Sequence, residues 1–251
     1  MKESKKKTTI LQINDTHGYL DIHQEMFWQG DHAVYRLVEG IEADPAVDDL
    51  VRQAFAPYKN ELSEVVGETA TPLNRCTVLE STMDNFLLQA LIDSTEAEVA
   101  FSNGWRYGAP IVKGSITLND LYNIIPMNPP VSTVELTGDE ILMMIEENFE
   151  RTFSSDPYRQ MGGYVKRCLG LNVYFKMENP RGTRIQKLFI GSQEVQPEQY
   201  YTAVFVTEQG VPKKYGRNRE NSSQRAIDAL RTYLSKHRPL RAEPRGTFVA
   251  V

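Results

Sequence analysis

Cysteine is scarce in this 251-residue chain: Cys76 and Cys168 are the only two. Neither lies in a C-x-x-C or beside a histidine, which excludes a disulfide framework and a thiolate-rich metal site, and both are expected to be buried thiols. Histidine is nearly as sparse, at four residues, and this limits the metal sites and catalytic triads the chain can build. No apolar run approaches the roughly 20 residues that cross a bilayer, so a membrane partner is not expected. There is no internal repeat and no RNA- or DNA-binding motif, so a nucleic-acid partner is not expected either. Met1 to Thr9 carry lysines without an apolar stretch behind them. The chain as written therefore reads as cytoplasmic, and as periplasmic or secreted if a leader has been removed.

The composition that is present, 41% apolar, 24% charged and 10% aromatic, is that of a globular protein able to bury a full core without staples. The net charge of −5 conceals an asymmetry. Between Val211 and Arg245 stand ten lysines and arginines against only Glu220, Asp228 and Glu243. Such a stretch steers an anionic partner or is a solvated helix face with basic ends.

Thr8 to Asn14 has the β-branched pattern of a strand running into Asp15-Thr16-His17-Gly18, followed by a loop with one helical turn. Asp44-Pro45 opens a helix carrying Val47, Leu50, Val51, Ala54, Phe55, Tyr58, Leu62 and Val65, which Pro57 should kink. Ser81 is expected to cap a helix with the stripe Met83, Phe86, Leu87, Ala90 and Leu91, and Thr137 with Glu140 forms a capping box ahead of Ile141, Leu142, Ile145, Phe149 and Phe153. Ser222 or Ser223 is expected to cap Ala226, Ile227, Leu230, Tyr233 and Leu234. Strands are predicted at 98–102, 110–116, 131–136, 171–177, 185–190, 200–206 and 247–251. Without a strict βαβ alternation, the class expected is α+β.

Three segments carry possible chemistry. Asp15 and His17 would emerge from one strand end as half of a metal site, or would form a capped turn. Ser102-Asn103-Gly104-Trp105-Arg106-Tyr107-Gly108 follows a predicted strand. Its glycines admit a ligand close to the backbone, Asn103 donates and accepts, Arg106 would fork an anion, and Trp105 and Tyr107 offer stacking surface. The alternative is a turn whose aromatics pack inward and whose arginine makes a salt bridge. Tyr158 to Arg167 holds a second glycine loop, Gly162-Gly163, with flanking cations; alone it reads as a turn, and together with Arg106 it would make an anion-binding wall.

In order and spacing these segments resemble the 5′-nucleotidase family of two-domain metallophosphoesterases. The residues that carry the resemblance are Ile10–Leu20, Ser81-Thr82-Met83-Asp84-Asn85, Ser102 to Arg106, Ile124-Ile125-Pro126, Leu136 to Glu140 and Gly170-Leu171-Asn172-Val173. Gly104 to Gly108, Asp156-Pro157-Tyr158, Gln160 to Gly163 and Arg181 to Ile185 are similar to the branch containing the dimanganese thiosulfohydrolases of sulfur oxidation. The resemblance implies a remnant of the metallophosphoesterase domain over 1–43, a connector helix over 44–66 and a substrate-binding C-terminal domain over 67–251, built as a mixed sheet with packed helices.

The resemblance also implies a divalent metal, manganese or zinc, with Asp15 and His17 among its ligands. The family's remaining ligands, an Asn-His pair and a Gly-His-x-His among them, have no counterpart here. The ligand implied is a small phosphorylated or sulfonated anion, a nucleotide or a sulfur compound, held by Asn103, Gly104, Arg106, Tyr107, Gly162 and Gly163. Met127 stands where the family places one purine-clamping phenylalanine and Glu208 near the other, so an aromatic clamp is not expected. The reading that results is a substrate-binding domain that is not catalytic alone. The alternative is a metal-dependent phosphoesterase or sulfohydrolase using a reduced or trans-completed site.

Overall fold

The computed structural model describes residues 44–75, 77–104, 109–161 and 164–251. The strand predicted at Thr8–Asn14, the loop after it, and Cys76 lie outside the described residues. Residues 44–251 belong to one compact unit.

The unit opens with α1 (Pro45–Phe55), a 3-10 turn (Ala56–Tyr58) and α2 (Lys59–Leu62). Asp44 caps α1 as expected, its Oδ1 accepting from the Ala46 and Val47 N–H groups at 2.9 and 3.1 Å. The break at Ala56–Tyr58 falls on Pro57, which has no N–H to continue the ladder. The stripe on α1 does not enter the core: none of its residues is buried, and Leu50 is 67% exposed.

There follow β1 (Val65–Thr69), α3 (Thr82–Asp93), β2 (Val99–Ser102), β3 (Gly114–Thr117), α4 (Leu118–Ile124), β4 (Pro130–Thr137) and α5 (Gly138–Phe153). Beyond a 3-10 turn (Pro157–Arg159) come β5 (Arg167–Leu169), β6 (Leu171–Phe175), β7 (Ile185–Ile190), β8 (Gln193–Glu194), β9 (Tyr200–Phe205), β10 (Arg217–Arg225), α6 (Ala226–Lys236) and β11 (Phe248–Ala250).

Among the described residues the strands form three sheets rather than one. A five-stranded mixed sheet has the order β10-β4-β9-β2-β5, a four-stranded mixed sheet β11-β6-β7-β8, and β1 pairs with β3. In the five-stranded sheet only β2 and β9 run parallel.

That sheet is buried on both faces, and strand alternation sorts its residues between two cores. Ala100 and Val204 face Phe86, Leu87, Leu91, Leu121, Ile227 and Leu230 from α3, α4 and α6. Their neighbours Val99, Phe101, Ala203 and Phe205 face Ile141, Ile145 and Phe149 of α5, together with Val173 and Leu188 of the four-stranded sheet. A strand with core on both sides reads as a continuous apolar run, which explains why 98–102 is legible without alternation. The chain passes from the first large sheet to the second at Gly170. It has φ +82° there, and a Cβ would lie 2.2 Å from the Glu98 carbonyl oxygen, so this backbone position requires glycine.

The two clearest cap signals form as expected. Ser81 Oγ accepts from the Asp84 N–H at 3.1 Å at the head of α3. At α5 the Thr137 hydroxyl accepts from the Glu140 N–H at 3.2 Å, while Glu140 Oε2 accepts from the Thr137 N–H at 2.8 Å.

Three expectations need correction. Ser222 and Ser223 lie within β10 and do not cap α6, which begins after Arg225. Its first N–H groups are served by Asn128, whose Oδ1 accepts from Ile227 at 2.9 Å, and Asp228 reaches back to the Arg225 N–H at 3.4 Å. The strand predicted at 110–116 is split because its two halves pair with different partners. Ile111 bridges Leu73, and only Gly114–Thr117 pairs with β1.

The basic stretch is not mainly a helix face, since β10 occupies its centre. Lys213 pairs with Glu208, Lys214 with Glu147, Arg217 with Glu135, Arg231 with Glu64 and Lys236 with Asp93, at 2.5–2.8 Å. Arg219 lies over the Phe205 ring, 4.6 Å from its centroid, and donates to the Val211, Pro212 and Tyr215 carbonyls. Five of the ten cations of the stretch are thus paired with carboxylates within the fold.

Candidate functional site

A cavity of about 450 Å³ lies among the C-terminal half of α5, the loop leaving β2, the segment entering β5 and the loop leaving β9. Its position follows from the fold: Asn103 is carried off the buried end of β2, and Gln209 follows β9, the parallel neighbour of β2. The Asn103 amide donates from Nδ2 to Gln209 Oε1 at 2.6 Å. Its Oδ1 is buried and has no hydrogen-bond partner among the described residues. A buried acceptor without a partner is costly and is normally satisfied by water or ligand. Gly104 has φ +66°, and a Cβ there would meet the Val165 carbonyl oxygen at 2.9 Å, so the loop can press against the segment entering β5 only as glycine.

The cavity wall is charged in a specific way. Glu147 and Glu208 are engaged by Lys214 and Lys213, each at 2.5 Å. Burial would raise the Glu147 pKa, but hydrogen bonds from Lys214 and Tyr215 outweigh it and hold the carboxyl below its ordinary value. Two further cations line the cavity, Arg151 and Lys166, and neither has a carboxylate partner among the described residues. Arg151 stands on α5, exposed, one turn beyond Glu147. Lys166 is buried, and its amine donates to the Gln209 and Gly210 carbonyls at 2.6 and 2.7 Å. Burial, followed by the nearby positive charge of Arg151, brings its pKa down to about 7. Asn148 Oδ1 accepts from the Lys166 N–H at 2.7 Å and fixes this segment to α5.

Of the residues expected from sequence, Asn103 lines this cavity, while Gly104 packs against Val165 and does not line it. Arg106, Tyr107, Gly162, Gly163, Asp15 and His17 lie outside the described residues, as do Trp105 and Gly108. Met161 and Tyr164, on either side of Gly162-Gly163, both line the cavity. Glu208 also lines it, whereas Met127 is 78% exposed on the loop after α4 and does not. Sequence reasoning missed Arg151 and Asn148; Lys166 stood among the cations flanking the second glycine loop but was not singled out. The signal for Lys166 was its place beside Arg167, just after the Gly162-Gly163 loop and ahead of the buried run Arg167-Cys168-Leu169.

Cys168 is buried as expected, and burial pushes its thiol pKa far up. The divalent centre that the resemblance implies finds no fit here: among the described residues no three His, Cys, Asp or Glu side chains are grouped to hold an ion. His237, the one histidine among the described residues, stacks on Tyr233 at 4.1 Å between ring centroids. No described helix is long and apolar enough to cross a membrane.

The chain is thus an α+β domain with a mixed central sheet and a cavity at the exits of its two parallel strands, and comparison with known proteins identifies its family. The 5′-nucleotidase C-terminal domain matches residues 64–207, more than half of the sequence, and the chain belongs to that family. The trifunctional nucleotide phosphoesterase protein YfkN of Bacillus subtilis (strain 168) is 26% identical over 153 residues, 56% of this chain and 10% of YfkN. Among solved structures, the sulfate thiohydrolase SoxB of Thermus thermophilus, in complex with glycerol, superposes with a TM-score of 0.76 at 25% identity, covering 85% of this chain and 40% of SoxB. A 5′-nucleotidase precursor, also from Thermus thermophilus, shares the fold with a TM-score of 0.69 at 19% identity, over 82% of this chain and 43% of that one. The chain thus spans a tenth of the length of YfkN and about two-fifths of each of these solved chains.

Proposed function

We propose that residues 67–251 form the substrate-binding domain of a 5′-nucleotidase-like or thiosulfohydrolase-like hydrolase, and that it takes a small phosphorylated or sulfonated anion in the cavity beside Asn103. The observation that carries this reading is the pairing of a buried, unpartnered Asn103 Oδ1 with Arg151 and Lys166, two cations in the same wall that no carboxylate of the described residues neutralises. An acceptor together with two cations suits a ligand with a donor group at one end and an anionic group at the other, as in a nucleotide. The similarity to YfkN supports the phosphorylated ligand and that to SoxB the sulfonated one. Arg106, Tyr107 and the Gly162-Gly163 loop are proposed to complete the site, and residues 44–66 to connect this domain to what precedes it. Asp15 and His17 are proposed to belong to a divalent-metal centre and not to this cavity. The chain alone is proposed to bind without turnover.

Thermal melting with adenosine 5′-monophosphate and with thiosulfate tests the reading. A ligand at about 100 times its Kd adds about 2.7 kcal/mol to stability, so Tm should rise with one of the two, and less so for Asn103→Ala. No shift with either at millimolar concentration overturns the cavity as a binding site. Hydrolysis in the presence of Mn²⁺ that is lost in Asp15→Ala overturns the non-catalytic part and favours an active metal-dependent phosphoesterase or sulfohydrolase.

A further inference from the structure

Lys166 is the cavity residue whose chemistry is least explained by its structural role. It is buried in the cavity wall, between Val165 and the start of β5, yet its amine forms no ion pair with a carboxylate of the described residues. An ammonium has three N–H donors. Two are spent on the Gln209 and Gly210 carbonyls, at 2.6 and 2.7 Å. These two bonds fix the amine against the loop that also carries the Asn103 partner, Gln209. The third N–H has no acceptor among the described residues.

We propose that Lys166 contacts the bound anion through its third N–H, and that binding is accompanied by proton uptake at this amine. The inference rests on the reading of the cavity as an anion site and deepens it, because it assigns a residue and a coupled proton to recognition.

The charged groups around the amine make this coupling specific. From α5, Arg151 opposes its charge and Glu147 favours it, and Cys168, two residues on in β5, is a neutral thiol. Across the cavity Glu208 and Lys213 offset each other. Burial dominates, and the amine therefore gives up its proton near neutrality, at about 7. An anion seated against it restores the favourable partner that the wall withholds and moves the proton equilibrium back toward the ordinary lysine range. The step balances as one proton from solvent added to the neutral amine when the anion binds. Below about pH 7 the proton is already there and binding takes up none. Above it, affinity falls by up to about tenfold per pH unit until the pKa of the complex is reached.

The test is calorimetric titration of the whole chain with thiosulfate, which does not itself titrate near neutrality, and with adenosine 5′-monophosphate. Each titration is made at about pH 8 in two buffers of different ionisation enthalpy, and then at about pH 6. The result expected is an uptake approaching one proton at the higher pH and, read with thiosulfate because the nucleotide phosphate itself titrates at about pH 6, near zero at the lower, absent from Lys166→Met and Lys166→Arg. Binding at both pH values with equal, negligible proton uptake overturns the role of Lys166 while leaving the cavity reading intact. Failure of both probes to bind at any pH overturns both. The wild-type measurement is decisive even where Lys166→Met fails to fold, and Lys166→Arg, which keeps a fixed charge, should bind without a proton.

Discussion

Asp84 Oδ2 lies 3.1 Å from Arg167 Nε with both side chains sealed from solvent, while Asp84 Oδ1 lies 3.2 Å from Arg75 Nε, also buried. One carboxylate thus ties α3 to the start of β5 and to the segment before α3. Ser81 adds a hydrogen bond to the same carboxylate at 2.7 Å, and Arg167 also donates to the Thr77 and Val78 carbonyls. The Ser81 to Asn85 motif therefore acts structurally here. Removing one member of such a cluster leaves buried charge uncompensated, so Asp84→Ala should cost about 3–5 kcal/mol in urea unfolding. By contrast, Lys236→Ala, which breaks the exposed pair with Asp93, should cost no more than about 1 kcal/mol. Equal costs would contradict this account.

Leu50 and Leu87 occupy equivalent places in two predicted stripes, yet one is exposed and the other fully buried. Leu50→Glu should leave stability within about 0.5 kcal/mol, as for a surface change away from special features. Leu87→Ala should cost about 2–5 kcal/mol, from lost burial and the cavity left behind. Thermal melting of both variants checks the pair, and a large loss in Leu50→Glu would mean that α1 is held by its apolar face.

Gly170 and Gly182 both have φ +82°, but only Gly170 has backbone where a Cβ would go. Either alanine variant should lose about 1–2 kcal/mol to the left-handed conformation. Gly170→Ala should lose clearly more, because the Glu98 carbonyl oxygen, 2.2 Å away, belongs to the chain entering β2 and cannot swing aside as a side chain would. Equal melting temperatures for the two variants would refute a requirement for close approach at Gly170.

The elements legible in the sequence were those whose local signal and tertiary role agree. α3 and α5 announce themselves through Ser81 and the Thr137–Glu140 box, and their stripes enter the two cores. α1 shows that the same signal can mark a helix with no core to face. β10, Arg-Asn-Arg-Glu-Asn-Ser-Ser-Gln-Arg, has no apolar alternation. It is an edge strand held by β4, and its serines imitate a helix cap. α4 was missed although Thr117 and Asp120 form a capping box, because seven residues are too few for a periodic stripe. At the site, Asn103 was legible from the glycine turn after a buried strand. Lys166 was legible only as one of the cations flanking a glycine loop, and Arg151 not at all, since their meaning depends on which carboxylates the fold assigns to Lys213 and Lys214.

Arg151 has no ion-pair partner among the described residues and lines the same cavity wall as Asn103, so its loss should be felt in binding and not in folding. Arg151→Met should weaken the bound anion by about 1.5–3 kcal/mol, the range for hydrogen bonds to charged groups. Its Tm without ligand should stay near that of the wild type. Calorimetry with the anion that binds gives the first quantity and melting the second. A variant that loses stability but keeps affinity would place Arg151 in the scaffold.

The depressed pKa of Lys166 also has a signature without any ligand. In the unfolded chain the amine holds its proton up to the ordinary lysine range, whereas in the fold it releases it at about 7. Between those values the unfolded state binds more protons. Raising the pH through that window therefore stabilises the fold, by at most about 1.4 kcal/mol per pH unit. Below about pH 7 both states are charged, the full cost of burying the ammonium is present, and this group gives no slope. Urea unfolding of the wild type should become more difficult from about pH 7 to pH 9, and Lys166→Met should lack that increment. Comparing the two removes the contributions of tyrosines and of Cys168, which both chains share. If the two curves run parallel, the amine keeps its proton in the fold through that range. Lys166 would then meet the anion already charged, and its binding would carry no proton with it.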